Sequence, residues 1–311
     1  MKRLILAGSG ALTALAAVAA AAVAPAAPAA ALPVTTAKAG PAAAESSTWA
    51  GYMAAAPAGR KVIFVSAFWT VPQPDTSRVW GKPPYRASEW VGMDGFGTGH
   101  HPVYGPVQDG VWSGVTAKGG KPVFELFWEM AGPGDPGPHF FTTDGSPPRR
   151  DGSNLVRVHP GDEIGASVQW GDPPVYDPAG KEFYFDVTVY PGGDTMRPEY
   201  HEATARPPAS WPSSQLRTRA EVNTEIPSED GGVTPAGAMD PGVVRYQGAE
   251  YLLQYKAGAA LNGEQPVTQR PVFMFYRYGL SVVWIWPSAP YQDPGYTFKD
   301  GFATRLHHVG P

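Results

Sequence analysis

The side chains of this 311-residue chain that suit hydrolytic chemistry are several carboxylates and one amide. Gln108 stands in the segment Val107-Gln108-Asp109-Gly110-Val111, which reads as a strand. Because side chains alternate between the two faces of a strand, Gln108, Gly110 and Trp112 share one face. An amide donor beside a glycine and an aromatic ring has open space next to it. A hydrogen-bonded glutamine on a solvated strand explains the same pattern.

Two strands carry glutamates four residues apart on one face. Glu125 and Glu129 lie on one face of the segment 121–131, and Glu221 and Glu225 lie on one face of the segment 218–226. In a regular strand such a pair has its Cα atoms ~13 Å apart. Retaining glycosidases need their carboxyl groups ~5–5.5 Å apart, so Glu125 and Glu129 fit a glycoside hydrolase only if a bulge shortens the distance.

Other catalytic chemistries find little support in the sequence. There is no cysteine, and no Gly-x-Ser-x-Gly motif surrounds a serine. The histidine pairs His100-His101 and His307-His308 are adjacent, and neighbours on a strand point to opposite faces, so neither pair chelates a metal readily. We therefore predict no metal and no cofactor. Peptide hydrolysis could use one carboxylate as base and then acid, with a neutral amide stabilising the oxyanion.

The N-terminus predicts export from the cell. Lys2 and Arg3 precede an uncharged, alanine-rich run from Leu4 to Val23, and small residues at 29–31 offer a cleavage site. We predict a signal peptide over residues 1–31 and a linker or short propeptide over residues 32–46. A membrane anchor is the competing interpretation, since about 20 apolar residues can span a bilayer, but alanine is only weakly apolar and prolines follow at once. The mature protein is expected to be secreted, with no membrane association after cleavage.

Composition and periodicity predict an all-β domain. The net charge of -4 is spread along the chain, which argues against nucleic acid as a partner. Helical periodicity is absent after the signal peptide, and short alternating runs are separated by glycine and proline turns. Such a pattern is typical of a sandwich or barrel of antiparallel sheets. The strands that we predict are 49–52, 61–72, 89–93, 106–112, 121–131, 154–158, 163–170, 182–190, 218–226, 243–246, 251–255, 272–278 and 280–287, with long loops over 73–86 and 191–216.

An ordered set of short motifs resembles one family of proteases. These motifs are Thr48-Trp49-Ala50-Gly51, Phe68-Trp69-Thr70-Val71-Pro72, Glu89-Trp90-Val91-Gly92-Met93-Asp94-Gly95, Val107-Gln108-Asp109-Gly110-Val111, Trp128-Glu129 and Ala220-Glu221. Their order and approximate spacing are similar to those of the eqolisins, or glutamic peptidases, over residues 47 to about 250. The eqolisins are secreted, acid-active endopeptidases, so the resemblance implies polypeptide substrates.

The resemblance also implies a fold and a set of site residues. The fold would be an antiparallel β-sandwich of two packed sheets, jelly-roll or concanavalin-like, in one peptidase domain over residues 47–311, of which residues 256–311 are not matched to the family. A monomer is expected. The implied catalytic pair is Gln108, as oxyanion donor, and Glu221, as general base, with Glu225 as a rival base because the tryptophan that usually follows the family's glutamate is Val222 here. The implied substrate-binding or supporting residues are Trp49, Trp90, Asp94 and Glu129. A non-catalytic module that binds carbohydrate or peptide stays open as a third possibility.

Overall fold

A computed structural model describes residues 44–95, 105–132, 137–171, 182–211, 216–227, 237–254, 265–278, 281–292 and 301–309. The predicted signal peptide, the linker up to residue 43 and the pair His100-His101 lie outside these ranges. Over the ranges given, no helix is long and apolar enough to cross a membrane. The only helical element in them is a single 3-10 turn, Pro191–Gly193.

The remaining regular structure consists of strands. They are β1 Ala44–Ser46, β2 Trp49–Ala55, β3 Lys61–Thr70, β4 Asp75–Trp80, β5 Tyr85–Met93, β6 Val107–Val115, β7 Val123–Met130, β8 His139–Phe140, β9 Glu163–Trp170, β10 Phe183–Tyr190, β11 Glu199–Ala205, β12 Arg219–Glu225, β13 Gly237–Asp240, β14 Val243–Gln254, β15 Gln265–Pro266, β16 Arg270–Tyr278, β17 Ser281–Pro287 and β18 Phe302–Val309. The prediction of an all-β fold is confirmed.

The strands hydrogen-bond edge to edge into one curled sheet. Their order is β8-β7-β6-β5-β12-β2-β16-β17-β18-β14-β3-β9-β10-β11, and every neighbouring pair in it is antiparallel. The curl brings β5, β6 and β12 into contact with β3, β9 and β14. The sheet is therefore continuous, where two separate sheets were predicted, and the jelly-roll connectivity stays a prediction.

The core lies between these two parts of the sheet. Alternate residues of β5, β6 and β12 point into it, including Val91, Val111 and Val222, and all three are fully buried. They belong to the same apolar cluster as Val168 of β9 and Phe185 of β10. Removing apolar surface from water stabilises the fold by about 25 cal/mol for each Å², and this gain fixes which face of each strand points inward. The opposite face of β5, β6 and β12, here called the cleft face, carries the predicted site residues.

The strands differ from the sequence prediction at several places. β4 and β11 lie in segments that were predicted as loops, and β18 was not predicted. Residues 154–158 were predicted as a strand, but they form only isolated bridges, from Leu155 to Thr142 and from Arg157 to Glu125. The segments 243–246 and 251–255 belong largely to one strand, β14, whose pairing with β3 shifts register after Gln247.

Candidate active site

The cleft face brings the predicted catalytic residues into one row across the sheet. Glu221 of β12 is opposite Gly92 of β5, Gly92 is opposite Gln108 of β6, and Gln108 is opposite Glu129 of β7. On its other side Glu221 is opposite Met53 of β2. Directly opposed residues of antiparallel strands point to the same face. We call Met53, Glu221, Gly92, Gln108 and Glu129 the central row.

Gly92 lets its neighbours in the central row pack closely, because there is no room for a side chain at this position. A Cβ atom on Gly92 would lie 2.7 Å from the carbonyl oxygen of Val107 and 3.1 Å from Cβ of Gln108. Because neighbouring strands lie about 4.8 Å apart, the Cα atoms of Glu221 and Gln108 are separated by about 10 Å. The side chains of Glu221 and Gln108 can therefore approach each other from opposite sides of a residue that has no side chain.

The amide of Gln108 is held by Glu129. Nε2 of Gln108 donates a hydrogen bond to Oε2 of Glu129 at 2.8 Å. Gln108 is 4% exposed, and its Oε1 has no hydrogen-bond partner within the described part of the chain. A buried acceptor without a partner costs about 1–3 kcal/mol, which a water molecule or a substrate N–H would recover. The second hydrogen of Nε2 remains for another acceptor.

The two glutamates of β12 have different surroundings on the same face. Glu221 is fully buried, whereas Glu225 is partly exposed and accepts a hydrogen bond from Nε1 of Trp90 at 2.9 Å. Trp90 is itself fully buried, and it packs edge-on against Trp49 with ring centroids 5.3 Å apart. Burial raises the pKa of Glu225 to about 8, and the nearby charge of Glu129 adds to the rise, against hydrogen bonds from Trp49 and Trp90.

Asp94 supports the site from outside the central row. It lies just after β5 with a positive φ of 65°, and its carboxylate accepts hydrogen bonds from the start of β12. The donors are the backbone N–H of Arg217, that of Thr218 at 2.6 Å, the Thr218 hydroxyl at 2.8 Å and the backbone N–H of Arg219 at 3.3 Å. Burial raises the pKa of Asp94, and these hydrogen bonds oppose the rise. Its contacts fix where β12 begins, two residues before Glu221.

Asn223 is a cleft-face residue to which the sequence analysis gave no role. It lies between Glu221 and Glu225, opposite Gly51 on one side and Trp90 on the other. Asn223 is fully buried, and neither its Oδ1 nor its Nδ2 has a hydrogen-bond partner in the described ranges. The sequence does contain a signal for Asn223, because alternation places it on the same strand face as Glu221 and Glu225.

The carboxylates Glu125 and Glu129 are not brought together. β7 pairs with β6 without a register shift from Val123 to Met130, so the Cα atoms of Glu125 and Glu129 stay ~13 Å apart. Glu125 also forms an ion pair with Arg157. In the portions of the chain that are described, no group of three or more His, Asp or Glu side chains is placed to hold a metal ion.

Comparison with known families gives a match in the N-terminal part of the chain. Residues 47–173 match the family model described as the Peptidase A4 family. The match contains Trp49, Trp90, Asp94, Gln108 and Glu129, and it ends before β12. No curated protein and no solved structure matches the chain.

Proposed function

We propose that the chain is an endopeptidase of the glutamic type, since its residues 47–173 match the model of the Peptidase A4 family. In this proposal Glu221 is the general base and Gln108 is the oxyanion donor. The observation that carries it is the central row, in which Glu221 and Gln108 face each other across Gly92. In the proposal, one water molecule and the substrate carbonyl lie between this carboxylate and this amide.

The proposed reaction follows from what each group can accept or donate. Glu221 takes a proton from water as the water oxygen attacks the carbonyl carbon, and the resulting oxyanion accepts a hydrogen bond from Nε2 of Gln108. Oε1 of Gln108, which lacks a described partner, can accept the other hydrogen of the water. The Glu221 carboxyl then gives its proton to the leaving nitrogen, and the C–N bond breaks. Glu129 orients the amide through the 2.8 Å hydrogen bond.

Glu225 is the competing candidate for the base, because it is partly exposed and is held by Trp90 at 2.9 Å. The strand register favours Glu221, which is opposite Gly92 and so next to Gln108, whereas Glu225 is opposite Ser88, four residues further along β12. The resemblance to the eqolisins supports the same choice through Ala220-Glu221. We therefore assign Glu225 to hydrogen bonding in the cleft and keep Glu221 as the base.

The remaining features of the proposal come from the resemblance to the eqolisins. The protein would be secreted after removal of residues 1–31, would act as a monomer on polypeptides and would work in acid. Trp49 would form part of one wall of the cleft, supported from behind by the buried Trp90, since the two rings pack together beside Glu225.

The decisive assay offers two polymers to the secreted protein. Denatured casein and β-glucan are each incubated with it across a range of pH, and the casein samples also receive pepstatin or a chelator. We expect cleavage of casein in acid that neither inhibitor blocks. Cleavage of glucan would favour Glu125 and Glu129 in a glycoside hydrolase instead. Cleavage of neither polymer would mean that the protein is a binding module.

A further inference from the structure

Asn223 is a buried amide between the two glutamates of β12. It is fully buried, and within the described ranges neither its Oδ1 nor its Nδ2 has a hydrogen-bond partner. Its side chain shares the cleft face with those of Glu221 and Glu225, because residues two apart on a strand point the same way. An apolar residue would occupy the position without an unpaired amide, so packing alone does not explain an asparagine here.

The neighbouring strands are shaped around the Asn223 side chain. Directly opposite on β2 is Gly51, where a Cβ atom would lie only 2.6 Å from Oδ1 of Asn223. Directly opposite on β5 is Trp90, which is fully buried and packs edge-on against Trp49. Nε1 of Trp90 donates to Oε2 of Glu225 at 2.9 Å. The amide therefore lies between a glycine and a buried tryptophan whose ring also holds one of the two glutamates.

Both glutamates are within reach of the Asn223 amide through an internal water molecule. Residues two apart on a strand have their Cα atoms about 7 Å apart. A water molecule that makes a bond of about 2.8 Å on each side joins polar atoms about 5 Å apart. Buried polar groups without a protein partner are commonly bonded to such water. A carboxylate accepts several hydrogen bonds at once, so a bond to Glu221 does not require that Glu221 lack other contacts.

We propose that Asn223 is a positioning residue that determines which glutamate of β12 is ionised. Through internal water, its Nδ2 donates towards the carboxylate of Glu221, and its Oδ1 accepts from the protonated carboxyl of Glu225. Because an amide has one donor end and one acceptor end, it favours one ionised and one neutral neighbour over two of the same kind. The proposal rests on the proposed function, because it takes Glu221 as the base that must be ionised.

Other charged groups also act on the ionisation of Glu221. Besides Glu225, the nearest ones on the cleft face are Asp94 after β5, Glu129 on β7, Arg219 on β12 and Arg270 on β16. All of them remain in a variant of the asparagine. They are therefore a constant background against which the effect of one amide can be measured.

The test measures the pKa of Glu221 by NMR. Protein with ¹³C at the side-chain carboxyl carbon of glutamate is titrated with acid, and the Glu221 signal is the one that Glu221→Gln removes. Asn223→Val removes the amide and introduces a residue that suits a strand. It should raise the pKa of Glu221 by about one pH unit, the effect of losing one hydrogen bond to a charged group. At a pH where Glu221 is mostly protonated, kcat/KM for a peptide should then fall about tenfold.

Asn223→Thr separates the loss of hydrogen bonding from the change in packing. Threonine has the shape of valine but keeps one donor and one acceptor, so the pKa of Glu221 should stay within about 0.5 pH unit of its native value. Asn223→Ala, which is also apolar, replaces Asn223→Val if that variant does not fold. Asn154→Val is the matched control, because Asn154 is another buried asparagine and its Nδ2 donates to the exposed Asp144 at 3.1 Å. It should lower the melting temperature and leave the pKa of Glu221 unchanged.

The outcomes separate this proposal from the proposed function. If the native protein cleaves no peptide, the proposed function fails, and the titration still decides the role of Asn223. An unchanged pKa of Glu221 in Asn223→Val would overturn the role proposed for the amide. Equal rises of that pKa in Asn223→Val and Asn223→Thr would also overturn it, because the effect would then come from packing.

Discussion

Gln108 is a buried amide whose loss would remove a hydrogen-bond donor from the proposed oxyanion site. Gln108→Ala is expected to lower kcat by about 10²–10³, the usual effect of removing one such donor. KM should change little, because the donor acts mainly in the transition state. The measurement is steady-state cleavage of a peptide substrate in acid, together with the melting temperature.

Gln169→Ala is the matched control for Gln108→Ala. Gln169 is also a buried glutamine of a strand, 3% exposed, but it lies on β9, and its Nε2 donates to the carbonyl oxygen of Gly171 at 3.1 Å. Its removal should lower stability and leave kcat of the folded protein unchanged. Near-normal turnover by Gln108→Ala would exclude the oxyanion role.

The choice between Glu221 and Glu225 is tested by the same substitution at both sites. Glu221→Gln keeps size and hydrogen bonding but removes the base, so turnover should fall below detection while the fold is retained. Glu225→Gln should keep most of the activity in acid, because a carboxyl with a pKa of about 8 is already neutral there and glutamine resembles it. Rates of both variants are compared at one acid pH.

The reverse result would change the assignment. If Glu221→Gln is active and Glu225→Gln is not, Glu225 is the base. If both variants keep full activity, the glutamic mechanism is wrong. The comparison is informative because both residues lie on the same face of β12, so the two variants disturb the same strand.

At the residue scale, alternation along strands was sufficient to predict which side chains share a face. Gln108, Gly110 and Trp112 lie together on β6 as expected, and Glu221, Asn223 and Glu225 lie together on β12. Alternation does not predict which strands are neighbours. The hydrogen bond from Trp90 to Glu225 depends on β12 pairing with β5. Likewise, Arg219 and Arg270 come together only because β12 and β16 both pair with β2, and sequence spacing does not specify these pairings.

At the scale of strands, β12 is held in place by Asp94. In Asp94→Asn, the backbone N–H groups of residues 217–219 would lose one of their two carboxylate acceptors. The asparagine offers a single carbonyl oxygen, and its NH₂ group is itself a donor. We expect Asp94→Asn to lower the free energy of unfolding by about 2–4 kcal/mol, since buried N–H groups would lose their acceptor. For a domain of this size that is a fall in Tm of roughly 5–10 °C. Thermal unfolding followed by circular dichroism measures it.

An exposed aspartate with a similar local role provides the control. Asp75 accepts hydrogen bonds from the backbone N–H and the hydroxyl of Ser77, at 3.1 and 2.6 Å, on the surface. Asp75→Asn should change stability by no more than about 0.5 kcal/mol. If Asp94→Asn is equally mild, the start of β12 is fixed by other contacts, and Asp94 does not have the supporting role predicted for it.

The strands missed by the sequence analysis lack the signals on which it relied. β11, Glu199–Ala205, alternates between exposed and partly exposed residues and pairs only with β10 in the described sheet, so it has no buried face to show apolar periodicity. β4 is likewise mostly polar, and it is a strand because β13 pairs with it. Strong apolar alternation, as in β3 and β10, was sufficient for prediction.

The C-terminal segment illustrates a different limit. Residues 256–311 have no counterpart in the motifs that resemble the family, and the sequence assigned them no function. β16, β17 and β18 lie between β2 and β14 in the sheet and close the curl. β16 also places Arg270 opposite Met53 of the central row. Long-range pairing of this kind is a property of the whole chain and leaves no local signal.

At the scale of the whole molecule, buried carboxyl groups predict that the fold is most stable in acid. Burial raises the pKa of Glu89 to about 8 and that of Asp186 to about 7, and it raises the pKa of Asp109 well above its usual value. Each group binds its proton more tightly in the folded than in the unfolded chain. Its stabilising contribution is complete below the unfolded pKa, about 4, and is lost as pH rises through the folded pKa.

Between pH 4 and 8 the predicted loss is large. Each such group lowers the free energy of unfolding by up to about 1.4 kcal/mol per pH unit in that window. The contribution of Asp144 to stability changes with pH in the opposite direction, because hydrogen bonds from Ser146 and Asn154 lower its pKa to about 2. Asp144 is exposed, and it affects stability only below about pH 4. Tm should therefore be highest near pH 4 and should fall steadily towards pH 8, which suits a protease proposed to work in acid.

Glu89 allows this prediction to be tested at one residue. It is 1% exposed, and neither carboxyl oxygen has a hydrogen-bond partner within the ranges described. It lies on the core face of β5, away from the cleft, so Glu89→Gln alters stability without touching the proposed catalytic pair. The variant resembles the protonated residue and should have a Tm close to that of the native protein at pH 4. At pH 8 it should be the more stable of the two, because no buried carboxyl has to ionise, and the exposed variant Glu199→Gln should follow the native profile. An unchanged slope of Tm against pH in Glu89→Gln would mean that burial of this carboxyl does not couple folding to protonation.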